Sequence, residues 1–527
     1  MNYLRQHSLL SAILINLVLF GCVLLFGFPV FNSGDDAYLL YLLGGGFGQA
    51  PTELLHYHYG MHPYVGLLIK NAFVYFPGFN WYSFFLYALH FIACSAMLAA
   101  SIRKHQLTSG IGYYLLFFII EVFFLLQPSF TNTALVTAIA GCLLLYAGLT
   151  DETKPRQLIL WGCVLLIGAA LLRLHMLAPP LLLSAPFLIA SLTKKKIRPL
   201  LLFASVTSVI ILLLVFLQQQ YYTQRIPGWQ QEESYRQAII DHYNKPKKKI
   251  NDIPAAFRTQ AHFLERGVLW DTAFLSQQQV AATTRAMQIK TAASQDDFRA
   301  RLFWLMMESR MGILLIIMMI LWRSASLIKR EKYAMLGSAL IFIALCTVLI
   351  LFRKLPGYIV TGGMLQLLAF LSLSGRKPQQ YAAPIPWVLT GASAILLIWG
   401  VIRLNKLNQH NKQQYEFWQC AYAQVASHTN KLLIVADDKF PVDYFYVWHV
   451  PKRYPLPNLL TKDHFLNNTY SPAYRKYGIT SPIQSSNVLF TGMLGTPDME
   501  YLESASGKHL NLLPMKDSDC VQLWELR

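Results

Sequence analysis

Apolar runs recur along the whole chain, at about 9–30, 83–100, 111–127, 132–150, 157–173, 176–193, 199–218, 302–322, 334–352, 357–374 and 386–403. Each is near the length a helix needs to cross a bilayer, so the pattern predicts a mainly α, polytopic membrane protein with about eleven transmembrane helices. The first run is too long for a signal-peptide core and has no small-residue cleavage site, so it reads as a membrane helix. Basic residues fall in every second connection: Arg103 and Lys104, Lys154 and Arg156, Lys194 to Arg198, Arg323 to Lys332, then Arg376 and Lys377. With Arg5, the positive-inside tendency places the N-terminus in the cytoplasm and the chain in a cell (inner or plasma) membrane as a multi-pass protein.

Three connections are longer than joining requires. The first covers 31–82, the second 219–301, and the third is everything after 404. The topology puts all three on the extracytoplasmic side. Apolar residues in the second, such as Ile239, Ile240, Phe257, Phe263, Leu264, Val268 and Leu269, predict short amphipathic helices lying on the outer membrane surface. Beyond 404 the character changes, dividing the chain into a transmembrane module, 1–404, and a soluble α/β domain, 405–527. Strands are expected in KLLIVAD from Lys431, DYFYVWHV from Asp443, NVLF from Asn487 and CVQLWEL from Cys520, with a helix in DMEYLESAS. Asp437 and Asp438 close the first strand, where such a pair ordinarily ends it.

Composition agrees: 54% of residues are hydrophobic and 14% charged, which excludes an ordinary soluble domain. The formal charge of +18 sits in short clusters between apolar runs, where it sets topology, so no nucleic-acid partner is expected. Of seven cysteines, five lie inside apolar runs as small hydrophobes. Cys420 and Cys520 lie in the polar part and are able to pair in an oxidising compartment.

The chemistry concentrates in the first long connection, FNSGDDAYLLYLL running on through ELLHYHYGMHPYVGLLIKN to FPGFNWY. Asp35 and Asp36 follow directly on the first apolar run, where ionised groups are costly without a task or water. They are candidate catalytic acids, and the alternative is that they cap and open the next helix. A divalent metal held by Asp36 and His58 is weighed against hydrogen bonding by His56, His58 and His62, whose spacing suits no single regular element. Glu121 is the one acid well inside an apolar run. It is expected to line a substrate cavity or to be structural, with Tyr38, the three histidines, Tyr221 and Tyr222 as further lining.

The acidic pair, the HYHYGMHPYVGLLIKN to PGFNWY stretch, and the order of long loop, seven-helix block, second long loop and soluble C-terminal domain together resemble the GT-C superfamily of integral-membrane glycosyltransferases. Within it, the stretch resembles the bacterial O-antigen glucosyltransferase group. The resemblance implies transfer of a sugar, of hexosyltransferase type, from a polyprenyl-phosphate carrier to a glycan, lipid or protein acceptor on the outer face. It also implies Asp35 or Asp36 as the base of a direct displacement, with cell-envelope polysaccharide synthesis as the setting. Basic residues in short outer links oppose the charge rule and so ask for a reason. Arg173, His175, Arg225, Arg353 and Lys354 are therefore the expected donor-phosphate ligands, the alternative being that they snorkel to lipid headgroups. A transporter or flippase of lipid-linked saccharide, and an O-antigen polymerase or ligase, are the competing functions.

Overall fold

A computed structural model of the chain describes residues 8–46, 50–55, 61–105, 107–151, 155–244, 247–265, 274–288, 295–323, 327–352, 355–375, 385–435, 446–450, 458–460, 470–491, 496–514 and 520–527. In chain order the helices are α1 Ser8–Phe26, α2 Gly34–Gly44, α3 Pro63–Tyr75, α4 Trp81–Lys104, α5 Leu107–Leu126, α6 Phe130–Thr150, α7 Pro155–Arg173 and α8 Ala178–Ala190. There follow α9 Lys194–Arg225, α10 Trp229–Asn244, α11 Arg258–Glu265, α12 Gln277–Met287, α13 Gln295–Arg323, α14 Lys329–Phe352, α15 Gly357–Leu373 and α16 Ile385–Ala426. All eleven apolar runs are therefore helical.

Among the described residues, six helical stretches are long and apolar enough to cross a membrane, with α15 and the Gly110–Leu126 part of α5 as shorter apolar helices. The protein is a multi-pass membrane protein. The six are fewer than the eleven runs partly because α8 has only 13 residues, contains Pro186, and continues from α7 through the 3-10 turn Leu174–Leu177. Helix α6 lies at the centre, with 89% of its apolar window buried, against 6% for α9 and 17% for α14, whose apolar side chains face outward as lipid-exposed helices do. Contact between α6 and α7 depends on two glycines. A Cβ on Gly141 would stand 2.9 Å from the Gly162 carbonyl oxygen, and one on Gly162 2.8 Å from that of Gly141.

The connections sort to two ends. At one, Arg103 meets Asp151 at 2.9 Å, Lys196 donates to the carbonyls of Leu149 and Asp151, and the Gly375 amide donates to Glu331. At the other, which carries the C-terminal sheet, Val30 bonds Leu126, Asn32 bonds Pro128, His62 bonds Leu171, and Asn411 donates to the carbonyl of Phe28.

Helix α16 runs 42 residues, well past the expected boundary at 404, because no Gly or Pro interrupts the chain between 401 and 426. It leads into a five-stranded sheet of order β2-β1-β3-β5-β4, formed by β1 Leu432–Val435, β2 Leu459–Leu460, β3 Val488–Thr491, β4 Leu510–Leu512 and β5 Leu523–Leu526. Strands β2, β1 and β3 are parallel, β5 is antiparallel to its neighbours, and the expected helix lies at Thr496–Ser506. The Cys420–Cys520 disulfide forms, joining α16 to the segment before β5.

Two expectations are corrected. The helices of 219–301 do not spread on the membrane. Ile239, Phe263, Leu264, Leu275 and Val280 share one core with Leu432, Ile434, Val488 and Phe490, which buries their apolar faces against the sheet. The run from Asp443 is not a strand over its described part, 446–450. Tyr446 makes a single bridge to Val30 and the chain then turns, with Asn80 donating to the carbonyls of Val447 and His449 at 2.7 Å each. Asp437 and Asp438 lie outside the described residues.

Candidate active site

Asp36 ties three helices together. Ser33 is the N-cap of α2 in extended conformation, with Asp35 and Asp36 in the first turn, and its hydroxyl donates to Asp36 Oδ2 at 3.0 Å. Tyr82, in the first turn of α4, donates to Oδ1 at 2.6 Å, and the amide of Phe130, which opens α6, donates to the same oxygen at 2.8 Å. The residue is fully buried. Burial pushes its carboxyl up to about 7, against the pull of the Tyr82 and Phe130 donors. Three donors on one carboxylate leave Asp36 little capacity as a metal ligand.

Asp35 is different. It is half-buried, and both it and Arg173 lie within electrostatic reach of Tyr358 in the first turn of α15. Arg173, the last residue of α7, donates to the Thr131 hydroxyl and stacks on the Phe130 ring at 4.9 Å, so it adjoins the residue whose amide holds Asp36. His175 follows within electrostatic reach of Arg173 and of Arg236 in α10. Sequence reasoning thus named Asp35, Asp36, Arg173 and His175, and the fold brings all four to one end of the bundle.

The other named residues have different neighbourhoods. Arg225 lies over the Tyr221 ring at 5.4 Å, Tyr221 donates to Glu53 at 2.7 Å, and Lys70 pairs with the same carboxylate at 2.5 Å. Burial of Glu53 is outweighed by the Lys70 and Tyr221 bonds, so its carboxyl titrates below the usual range. Tyr222 is buried, accepts the Leu55 amide at 3.3 Å and stacks on Trp229. Tyr38 is fully buried within α2. His62 is the N-cap of α3: Nδ1 accepts the Tyr64 amide and Nε2 donates to the Leu214 carbonyl, leaving neither nitrogen for a metal. Glu121 faces α4, where it meets His90 at 2.5 Å with both side chains fully buried, as the structural alternative expected. His56, His58, Arg353 and Lys354 lie outside the described residues. Among the described residues no three His, Cys, Asp or Glu side chains cluster as a metal site.

A cavity of about 650 Å³ lies at the same end of the bundle, with Asn32, Tyr358 and Asn132 in its lining and neither Asp35 nor Asp36 among its lining residues. Sequence reasoning missed the α16 part of its lining, Arg403, Lys406 and His410. The signal was present: the three recur at helical spacing just beyond the last apolar run, on one face of a helix expected to have ended.

No family model and no curated protein matches this sequence. Among solved structures the chain is similar, over 97% of its length, to apo ArnT from Cupriavidus metallidurans, at 11% identity and a TM-score of 0.43, covering 97% of that chain. Over 98% of its length it is similar to the same protein bound to undecaprenyl phosphate, at 11% identity and a TM-score of 0.42, covering 97% of that chain. Likeness at this level carries no weight for the roles of individual residues.

Proposed function

We propose that the protein is a membrane glycosyltransferase of GT-C type that takes a sugar from a polyprenyl-phosphate carrier, with Asp35 as general base. The observation that carries the reading is the inequality of the two carboxylates. Asp36 is buried and held by three donors, whereas its neighbour is half-buried at the same bundle end, where it and Arg173 both act electrostatically on Tyr358. A lipid-borne phosphate reaches a membrane protein at headgroup depth, where Arg173 at the end of α7 offers a planar fork suited to its oxygens.

In the proposed step Asp35 takes the proton of the acceptor hydroxyl as its oxygen attacks the anomeric carbon. The bond from that carbon to the phosphate oxygen breaks, and the carrier leaves as polyprenyl phosphate with the electron pair. One displacement inverts the anomeric centre. Asp36 positions α2, and so the base, by joining α2 to α4 and α6. Basic links gathered at the opposite end support an extracytoplasmic site, and the Cys420–Cys520 disulfide suits an oxidising compartment.

The test is donor consumption. Full-length protein in vesicles, supplied with radiolabelled polyprenyl-phosphate sugars and a membrane extract as acceptor source, is expected to release free polyprenyl phosphate and label the acceptor. Accumulation of intact donor in the opposite leaflet, with no release, would instead favour a flippase.

A further inference from the structure

The proposed reaction needs two substrates to converge on one base, and Arg173 accounts for a single anionic group. The cavity beside Asn32 has a character of its own. Its α16 wall presents Arg403, Lys406 and His410 at helical spacing, with Arg403 also stacked on Trp399 at 5.6 Å. Asn132 lines it as well. This side chain is 2% exposed, its amide nitrogen donates to the Gln127 carbonyl, and its Oδ1 has no hydrogen-bond partner. A buried acceptor without a donor is costly, and a turn of the side chain toward the cavity would let a ligand hydroxyl satisfy it.

The cavity also changes with depth. Along α15 its lining runs from Gly357 and Tyr358 to Val360 and Met364, a descent of roughly 10 Å at the helical rise. Ile120 of α5 and Met364 make the deeper wall apolar, while on α16 His410 adjoins Asn411, which is bonded to the ends of α1 and α5, and Lys406 and Arg403 follow about one and two turns deeper. Positive charge running down the α16 wall from the bundle end, an unsatisfied hydroxyl acceptor and apolar residues lining the same cavity are together the complement of an amphiphile with an anionic, hydroxylated headgroup.

We propose that this cavity binds such a lipid, and that it is the acceptor, entering from the bilayer on the α16 side while the donor phosphate is held on the Arg173 side. The assignment as acceptor rests on the transferase reading; the binding does not. Tyr358 stands between the two sides, lining the cavity and sharing electrostatic contact with Arg173 and Asp35. Simple snorkelling of Arg403 and Lys406 into the surrounding lipid is the alternative, and it predicts no bound headgroup.

Dioctanoyl phosphatidylglycerol, anionic and hydroxylated, is titrated into full-length protein in uncharged detergent, with dioctanoyl phosphatidylcholine as control and native mass spectrometry as the readout. Arg403→Ala with Lys406→Ala is expected to weaken phosphatidylglycerol binding by about tenfold or more, leave phosphatidylcholine unchanged, and behave unlike Arg173→Ala and Asp35→Asn, which retain the lipid. Equal binding by the double variant and the parent would overturn the proposal, as would loss that follows Arg173→Ala instead. In transfer assays the double variant should raise KM for the acceptor and not for the donor. A rise confined to the donor would overturn the acceptor assignment. Absence of transfer by the parent would instead remove the enzymatic reading and leave the lipid site standing on its binding result.

Discussion

Replacing Tyr82 by Phe removes one hydroxyl and tests whether Asp36 holds the bundle end together. Its bond to Asp36 Oδ1, at 2.6 Å between two fully buried side chains, is a charge-assisted donor when the carboxylate is ionised. Losing it then costs about 1.5–3 kcal/mol; with Asp36 protonated the same bond is neutral and is worth about 0.5–1.5 kcal/mol. Burial raises the Asp36 carboxyl from its usual 3.8 to about 7 in the folded protein. A raised carboxyl contributes stability that is complete below the unfolded value and is lost as pH rises through the folded one. Removing a donor to the ionised form raises the folded value further, so the variant's deficit should widen above pH 7. Thermal unfolding of parent and Tyr82→Phe in detergent at pH 5.5 and pH 8.5, followed by intrinsic fluorescence, measures this directly. The expected result is a larger loss of Tm at pH 8.5. A deficit equal at both pH values, or larger at pH 5.5, would refute the idea that Asp36 titrates as part of this clamp.

Arg173→Ala should raise the apparent KM for the polyprenyl-phosphate donor at least several-fold, whereas Lys247→Ala, remote from Asp35 and paired with Glu265 at 2.7 Å, should leave it unchanged. Equal donor dependence in the two variants and the parent would return Arg173 to a structural role. Asn80→Ala removes two 2.7 Å bonds to the carbonyls of Val447 and His449, about 1 kcal/mol each. Limited proteolysis should show the 446–450 segment cut faster, and an unchanged rate would mean that the docking lies elsewhere. Breaking the Cys420–Cys520 bridge, which closes a separation of 100 residues, should destabilise the C-terminal part of the fold by roughly 2–4 kcal/mol. Chemical unfolding of the parent with and without reductant, with thiol labelling to confirm reduction, measures it.

Membrane helices were legible because their signal is local: a run of apolar residues of bilayer length needs no partner to declare itself. The same holds for β1, β3 and β5, whose side chains are mostly buried, whereas the pairing of Cys420 with Cys520, 100 residues apart, stayed open in the sequence. What failed needed tertiary knowledge. The amphipathic faces around Ile239 and Phe263 are compatible with a lipid surface or a protein core, and only the sheet beside them decides. DYFYVWHV has strand composition, yet at least its 446–450 part is used to grip Asn80 at the bundle end. The carboxylate pair was visible but its two members were indistinguishable, because the donors that bury Asp36 come from residues 46 and 94 positions away. The cations of α16 were overlooked because the helix was expected to end where its apolar stretch does, although 401–426 contains no helix breaker.

The central claim is that Asp35 acts as the base while Asp36 holds it in place, and transfer rates of Asp35→Asn and Asp36→Asn in vesicles, each set against the variant's Tm, test it most directly. Asp35→Asn should insert and unfold like the parent but lose roughly a hundredfold or more of its transfer rate from the polyprenyl-phosphate donor. Asp36→Asn should lower Tm, with any loss of transfer accompanying the loss of folded protein. Near-normal transfer by Asp35→Asn would contradict the account.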